Sequence, residues 1–428
     1  MSEMNPETTR LETMRAAVRT LFDLNRQRGH AAWCDRDYDF VCPSMTTYPF
    51  QWFWDSCFHA IILSHLDLVR AESEITSLLA NQSPDGLVSH ATFWRREEYQ
   101  DRLADYSIAY RTPYLSDCMQ APLLAEAVAA VAARGRGVAF LDEVLPAVRR
   151  YFDWLRDVRD PDHDGLIAVL QADETGLDES PKFDEYLGVS GDVRPDYDAA
   201  WHRVADPYAE VGRDPERMFA LDRFIDEDVM VNTVYAENQR VLGDLLEQVG
   251  DIAAAADFRA RAIRTRDALI EKCWDPEAGL FWDLAGLAER PLRTSTFTSL
   301  LPLLLPDLPA PIAARLVAHL EDPGAYATPW PIPSVSRSEP AFRPGAIGEH
   351  LLWRGATWIN VNWFLCRGLR RHGRPDLARR IEDSTATMIE REGFREYYDA
   401  LSGEGRGAPA FGWSALILDL LETRAVES

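Results

Sequence analysis

Two acidic segments stand out because helix decoration cannot account for them. The first is DPDHDGLIAVLQADETGLDESPKFD, residues 160–184, in which Gly165, Gly176 and Pro181 break any helix. Its piece ETGLDESP sets several acids close together in a loop. A loop acid among like charges and aromatic rings has its pKa raised by repulsion and desolvation, so it keeps a proton near neutral pH as a general acid must. The second is GFREYYDALSGEG, residues 393–405, where Glu396 stands beside Tyr397 and Tyr398 ahead of a Gly-rich turn. One Glu beside Tyr means little alone. Two carboxylates on separate loops of one funnel are what glycoside hydrolysis requires: one protonates the leaving oxygen, and the other attacks or activates water.

Two further clusters supply binding chemistry. YPFQWFWDSCFHA, residues 48–60, puts Trp52, Trp54 and Asp55 at the mouth of a helix. An Asp there is by default an N-cap. Two indoles two residues apart cannot share a helix face, however, and rings beside a carboxylate suit the C–H faces and hydroxyls of a pyranose. LLWRGATWINVNWF, residues 351–364, offers Trp353 and Arg354 before a helix that starts near Thr357, with Trp358 and Asn362 on one face. DPDHDG also matches the opening of a calcium loop, but position twelve is Gln171 rather than Glu, so a plain Asp-rich turn is the stronger reading. No metal and no cofactor is expected.

The elements that must position these loops are helical. Periodic apolar spacing predicts helices over 54–69 and 71–80, 117–134 and 139–157, 226–249 and 251–273, with weaker ones over 293–304 and 309–321. The C-terminal third adds 357–372, 375–391 and 412–424, and a helix from Leu11 to Phe22 opens the chain. Strand signals are short: 166–171, 279–284 and 395–399. Long aromatic loops alternate with the helix pairs at 29–53, 81–116, 158–200, 275–292, 323–356 and 392–411, and loops of this length usually carry function. Paired helices without a linker predict an all-α chain, an (α/α)6 toroid forming one domain over 1–428. An open solenoid would need a repeat signature that the chain lacks.

Composition narrows the partners. The chain has 428 residues with 45 Lys+Arg against 69 Asp+Glu, a net charge of −24. Such a surface repels phosphate backbones and anionic membranes, so neither nucleic acid nor membrane is expected. No apolar run is long enough to span a bilayer. The six cysteines show no CxxC spacing, and the N-terminus lacks an apolar leader, so a cytoplasmic protein with reduced thiols is predicted.

WFWDSCFHA, ETGLDESPKFD, WRGATWINVN and FREYYDALSGEG…FGWSAL follow in one order across residues 48–416. Together they resemble glycoside hydrolase family 63, nearest the small bacterial mannosylglycerate and glucosylglycerate hydrolases, with family 37 trehalases more distant. The resemblance implies an (α/α)6 barrel that hydrolyses short α-glucosides or α-mannosides with inversion, with a small sugar as partner. Position by position, it implies Asp178 as general acid and Glu396 as general base. Tyr48, Trp52, Trp54 and Asp55 match the family's sugar clamp, Gln120 its QPP glutamine, and Gly176 the glycine of the acid loop. Trp353, Arg354 and Trp358 match the tract walling the cleaved sugar. The chain departs from the pattern at Asp173 for a Trp, Leu352 for a Tyr and Ala356 for a Pro. Asp173 would repel a carboxylate aglycone unless an Arg intervenes; Arg203 and Arg354 are the candidates, with His202 beside them. A neutral α-glucosyl disaccharide is the alternative substrate. An epimerase would need paired His bases, and a non-catalytic sugar-binding module would need neither Asp178 nor Glu396.

Overall fold

The computed structural model describes residues 6–99, 110–189, 194–345 and 351–427; parts of the expected loops 81–116, 158–200 and 323–356 lie outside it. The chain is predominantly helical with a few small sheets of two to four strands. Three helices are buried along most of their length: Phe53–Leu63, Val229–Gln248 and Ile359–Arg371. A helix that is apolar all round has no solvent face and must sit inside. Phe53–Leu63 is buried at every residue, including the polar Asp55, Ser56 and His59.

Each inner helix packs on the amphipathic helix that follows it: Phe53–Leu63 on Leu68–Leu79, Val229–Gln248 on Ile252–Ala268, and Ile359–Arg371 on Pro375–Glu392. The inner elements also touch in succession. Phe53–Leu63 meets Leu124–Arg134, which meets Val229–Gln248, which meets the 3-10 helix Phe297–Leu304. That element meets Ile359–Arg371, which meets the turn Gly412–Leu416, and this turn returns to Phe53–Leu63. One continuous apolar core runs from Met14 to Leu421.

Several elements differ from the sequence expectation. The segment 166–171 is buried but, among the described residues, makes one bridge, Val169 to Asp226, because the strand Asp226–Glu227 beside it is only two residues long. Pro122 defers the helix expected from 117 until Leu124. A hairpin, Arg26–Ala31 with Arg36–Val41, arises from charged residues that carry little β signal. The helix Arg194–Glu210 begins inside the expected loop 158–200 and runs on through a stretch given no element; its polar composition and Pro207 hide it. Among the described residues, no helix is long and apolar enough to cross a membrane. All six cysteines are free thiols.

Candidate active site

The loops meet around a cavity of about 430 Å³. Tyr48, Trp52, Trp54, Asp55, Gln120, Gly176, Asp178, Trp353, Trp358 and Glu396 all line it. Arg354 does not: its guanidinium makes a two-pronged pair with Asp184 at 2.7 and 2.6 Å, and it is 2% exposed. Arg203 is also elsewhere, donating to the Leu187 carbonyl. Sequence reasoning could not separate an Arg that meets ligand from one that braces a loop.

The Asp178 loop is tied down at both ends. Val169 bridges Asp226 at its start, and the buried ammonium of Lys182 sits between Asp228 and Asp283 at its end. Between them, buried Glu174 pairs with Arg159 at 2.6 and 2.9 Å and accepts the amides of Met119 and Leu170. Gly176 follows in the left-handed region at φ +71°, where a Cβ would fall 2.5 Å from the Trp54 ring. Only glycine satisfies both the turn and that close approach. Asp178 then faces the cavity. Desolvation, and then the neighbouring Glu179 and Asp173 charges, push its pKa up to about 8, while Arg194 opposes them.

Glu396 lies on Arg395–Tyr398, paired antiparallel with Gly405–Pro409. The ladder is irregular between Arg395 and Tyr397, the kind of local break that re-aims a side chain. Its Oε1 accepts from the Tyr48 hydroxyl at 3.1 Å and its Oε2 from the Ala408 amide at 2.7 Å. Burial raises its pKa; those two hydrogen bonds oppose the rise by favouring the charged form. Gly407, at φ +62°, leaves room for the carboxylate where any Cβ would overlap it.

Asp55 is not the N-cap of its helix; that position is Trp52. The first amides of the helix are met by the His90 carbonyl, which accepts from Phe53 at 2.8 Å, and by Gln120 Oε1, which accepts from Trp54 at 3.0 Å. Asp55 is thereby released to the cavity, with one carboxylate oxygen that has no hydrogen-bond partner among the described residues. Trp353 and Trp358 stack on each other at 3.6 Å and 11°, and Trp413 stands edge-on to Trp54 at 5.5 Å and 90°. Trp353 reaches this stack from φ +58°, a strained position for a bulky residue.

Residues that sequence reasoning missed include Glu179, Arg194, Tyr197, Asp198, Trp201, Phe411 and Trp413, all lining the cavity. Asp173, Leu352 and His202 line it as well. Arg194, Tyr197, Asp198, Trp201 and His202 are spaced as one face of a helix, a signal present in the sequence but polar rather than apolar. Asp173 accepts from Trp201 Nε1 at 3.0 Å. Away from the cavity, the DPDHDG turn is closed by its own carboxylates: Asp160 accepts from Gly165 and Asp164 from Leu166. Gln171 turns to Arg213 instead, and the Lys272 ammonium pairs with Asp164 and Glu289.

Known proteins resemble the chain in sequence and fold. The chain is 31% identical over 412 residues to the mannosylglycerate hydrolase of Thermus thermophilus, covering 88% of this chain and 95% of that one. It is 29% identical to the glucosylglycerate hydrolase of Mycolicibacterium hassiacum, covering 87% and 92%. A solved GH63 mannosylglycerate hydrolase, also from Thermus thermophilus and in complex with Tris and D-glycerate, superposes with a TM-score of 0.81 at 28% identity over 96% of this chain and all of that one. Neutral trehalase Nth1 from Saccharomyces cerevisiae shares the fold, with a TM-score of 0.61 at 17% identity, over 98% of this chain and 80% of that one. Residues 48–414 match the model of the mannosylglycerate hydrolase MGH1-like glycoside hydrolase domain, and the chain belongs to that family of glycoside hydrolases, within GH63.

Proposed function

We propose that the chain hydrolyses an α-linked glycosylglycerate with inversion, using Asp178 as general acid and Glu396 as general base. We also propose that a single (α/α)6 catalytic domain over 1–428 carries the site; the closed succession of inner-element contacts supports this. The observation that carries the chemistry is the pairing of two unlike carboxylates on one aromatic-walled cavity. Asp178 keeps its proton to about pH 8, which suits donation to the glycosidic oxygen. Glu396 is held by two donors that favour its charged form, which suits taking a proton from water as that water attacks the anomeric carbon. Room for that water requires carboxyl groups about 6.5–9.5 Å apart. Asp55 and the Trp54 and Trp358 indoles suit the hydroxyls and apolar faces of the hexose.

For the aglycone, Arg194 is the arginine that lines the cavity among the described residues, on the same wall as Asp173. It is the cation needed to offset that acid when a glycerate carboxylate binds, a part assigned from sequence to Arg203 or Arg354. The relatives' names support a glycerate conjugate.

The test is an NMR panel of α-glucosides and α-mannosides that includes both glycerate conjugates. Free hexose released first as the β-anomer, fastest from a glycerate conjugate, is expected. First release of the α-anomer would refute inversion, and a faster neutral disaccharide would refute the aglycone. Asp178→Asn and Glu396→Gln should each lose at least about a thousandfold in kcat on a poor leaving group while still binding sugar. Near wild-type turnover in either variant removes that residue from the mechanism.

A further inference from the structure

Glu179 follows the proposed general acid in the chain, and its side chain contacts two other walls of the cavity. Its Oε2 accepts the Leu352 amide at 2.5 Å, and its Oε1 pairs with Arg194. It is 3% exposed, so both oxygens are committed out of water. Three separate segments meet on this one carboxylate: the Asp178 loop, the tract before the Trp353–Trp358 stack, and the helix Arg194–Glu210. Glu179 was not among the residues singled out by sequence.

We propose that Glu179 is a positioning residue for the acid side of the cavity, joining the Asp178 loop to Leu352 and Arg194 so that the leaving-group wall and the proton donor keep one geometry and one electrostatic setting. This rests on the assignment of Asp178 as general acid.

The charges arranged around Asp178 define the setting. From its own loop come Glu179 and Asp173; from the helix Arg194–Glu210 come Arg194 and Tyr197. Further round the cavity stand Asp198, His202, His90, Asp55 and Glu396. The negative charge of Glu179 holds the proton on Asp178, and Arg194 loosens it. The pair therefore acts on Asp178 with opposite signs, although both members make the same contact. A residue that merely fills space cannot give opposite signs.

The test is the pH dependence of kcat/KM for Glu179→Gln and Arg194→Gln on a substrate with an alkyl leaving group. Glu179→Gln keeps the shape and an oxygen for the Leu352 amide but removes the charge. Its alkaline limb should move down by about one pH unit, and that of Arg194→Gln should move up. On an α-glycosyl fluoride, whose leaving group needs less protonation, Glu179→Gln should lose several-fold less than on the alkyl glycoside. Limbs that do not move, or that move the same way in both variants, overturn the proposal. So does an equal loss on fluoride and alkyl glycoside, which marks general damage to the site. Glu179→Ala, which also drops the Leu352 acceptor, should lose a further several-fold in kcat with KM little changed; a loss confined to KM counts against positioning. A wild-type protein inactive on both substrate types overturns the glycosidase reading itself, an outcome distinct from any of these.

Discussion

The Tyr48 hydroxyl reaches Glu396 across 348 positions of sequence, and its effect on that carboxylate has a definite sign. A donor to a carboxylate favours the ionised form, which a general base needs. Burial works against it. Removing the hydroxyl therefore raises the pKa of Glu396 further. Tyr48→Phe should move the acid limb of kcat/KM up by about half a unit to one unit and leave the alkaline limb in place. An acid limb that stays put shows that Ala408 alone sets the base. Asp178 could be picked out because Gly176 and Pro181 forbid a helix around it, which leaves a carboxylate in a loop, whereas Glu396, on the short strand expected there, was picked out by its match to the family motif. Arg354 was misread, because an Arg in a Trp-rich loop looks the same whether it meets a ligand or, as here, Asp184.

At the scale of elements, Lys182 is the point where the acid loop is fastened to the helix Val229–Gln248. Asp228 caps that helix, accepting from Val231 at 2.8 Å, and Asp283 accepts from Val229 at 2.7 Å, while both pair with the ammonium. Asp226 lies in the same group, with neither oxygen hydrogen-bonded among the described residues. Lys182→Met leaves these buried carboxylates without their cation, a change that costs about 3–5 kcal/mol in buried pairs. Chemical denaturation should show that loss; a variant within about 1 kcal/mol of wild type means the carboxylates are neutral in the folded chain. The inner and outer helices were readable from their apolar period. Arg194–Glu210 was not, because only Tyr197, Ala200, Val204 and Tyr208 join the core, while Arg194, Asp198, Trp201 and His202 line the cavity. The hairpin Arg26–Ala31 with Arg36–Val41 escaped for a related reason: its strands bury few side chains.

For the molecule as a whole, buried acids couple stability to pH. Asp178, Glu74 and Glu227 are each pushed up to about 8, chiefly by desolvation, and Asp55 and Asp226 are also raised. Their unfolded values lie near 4. Between those limits the folded chain holds protons that the unfolded chain has released, so stability falls as pH rises from about 4 to about 8. The net charge of −24 acts in the same direction through self-repulsion once carboxylates ionise. Tm should be several degrees lower at pH 8.5 than at pH 6, measured at fixed ionic strength. A Tm that is flat or rising over that interval means these carboxylates are ionised inside the fold.

The inner succession closes when Gly412–Leu416 meets Phe53–Leu63, and the first and last described helices, Pro6–Leu24 and Ile417–Glu427, pack together through pairs such as Arg15 with Glu422 at 2.5 Å. A chain emerging from the ribosome makes Phe53–Leu63 early and its last neighbour very late. At about 5–20 residues per second, the intervening stretch takes roughly 20–70 s to synthesise. For that time a helix buried on every side in the finished fold has one flank without its neighbour. The segment Gly412–Glu427 is the clasp that ends the exposure.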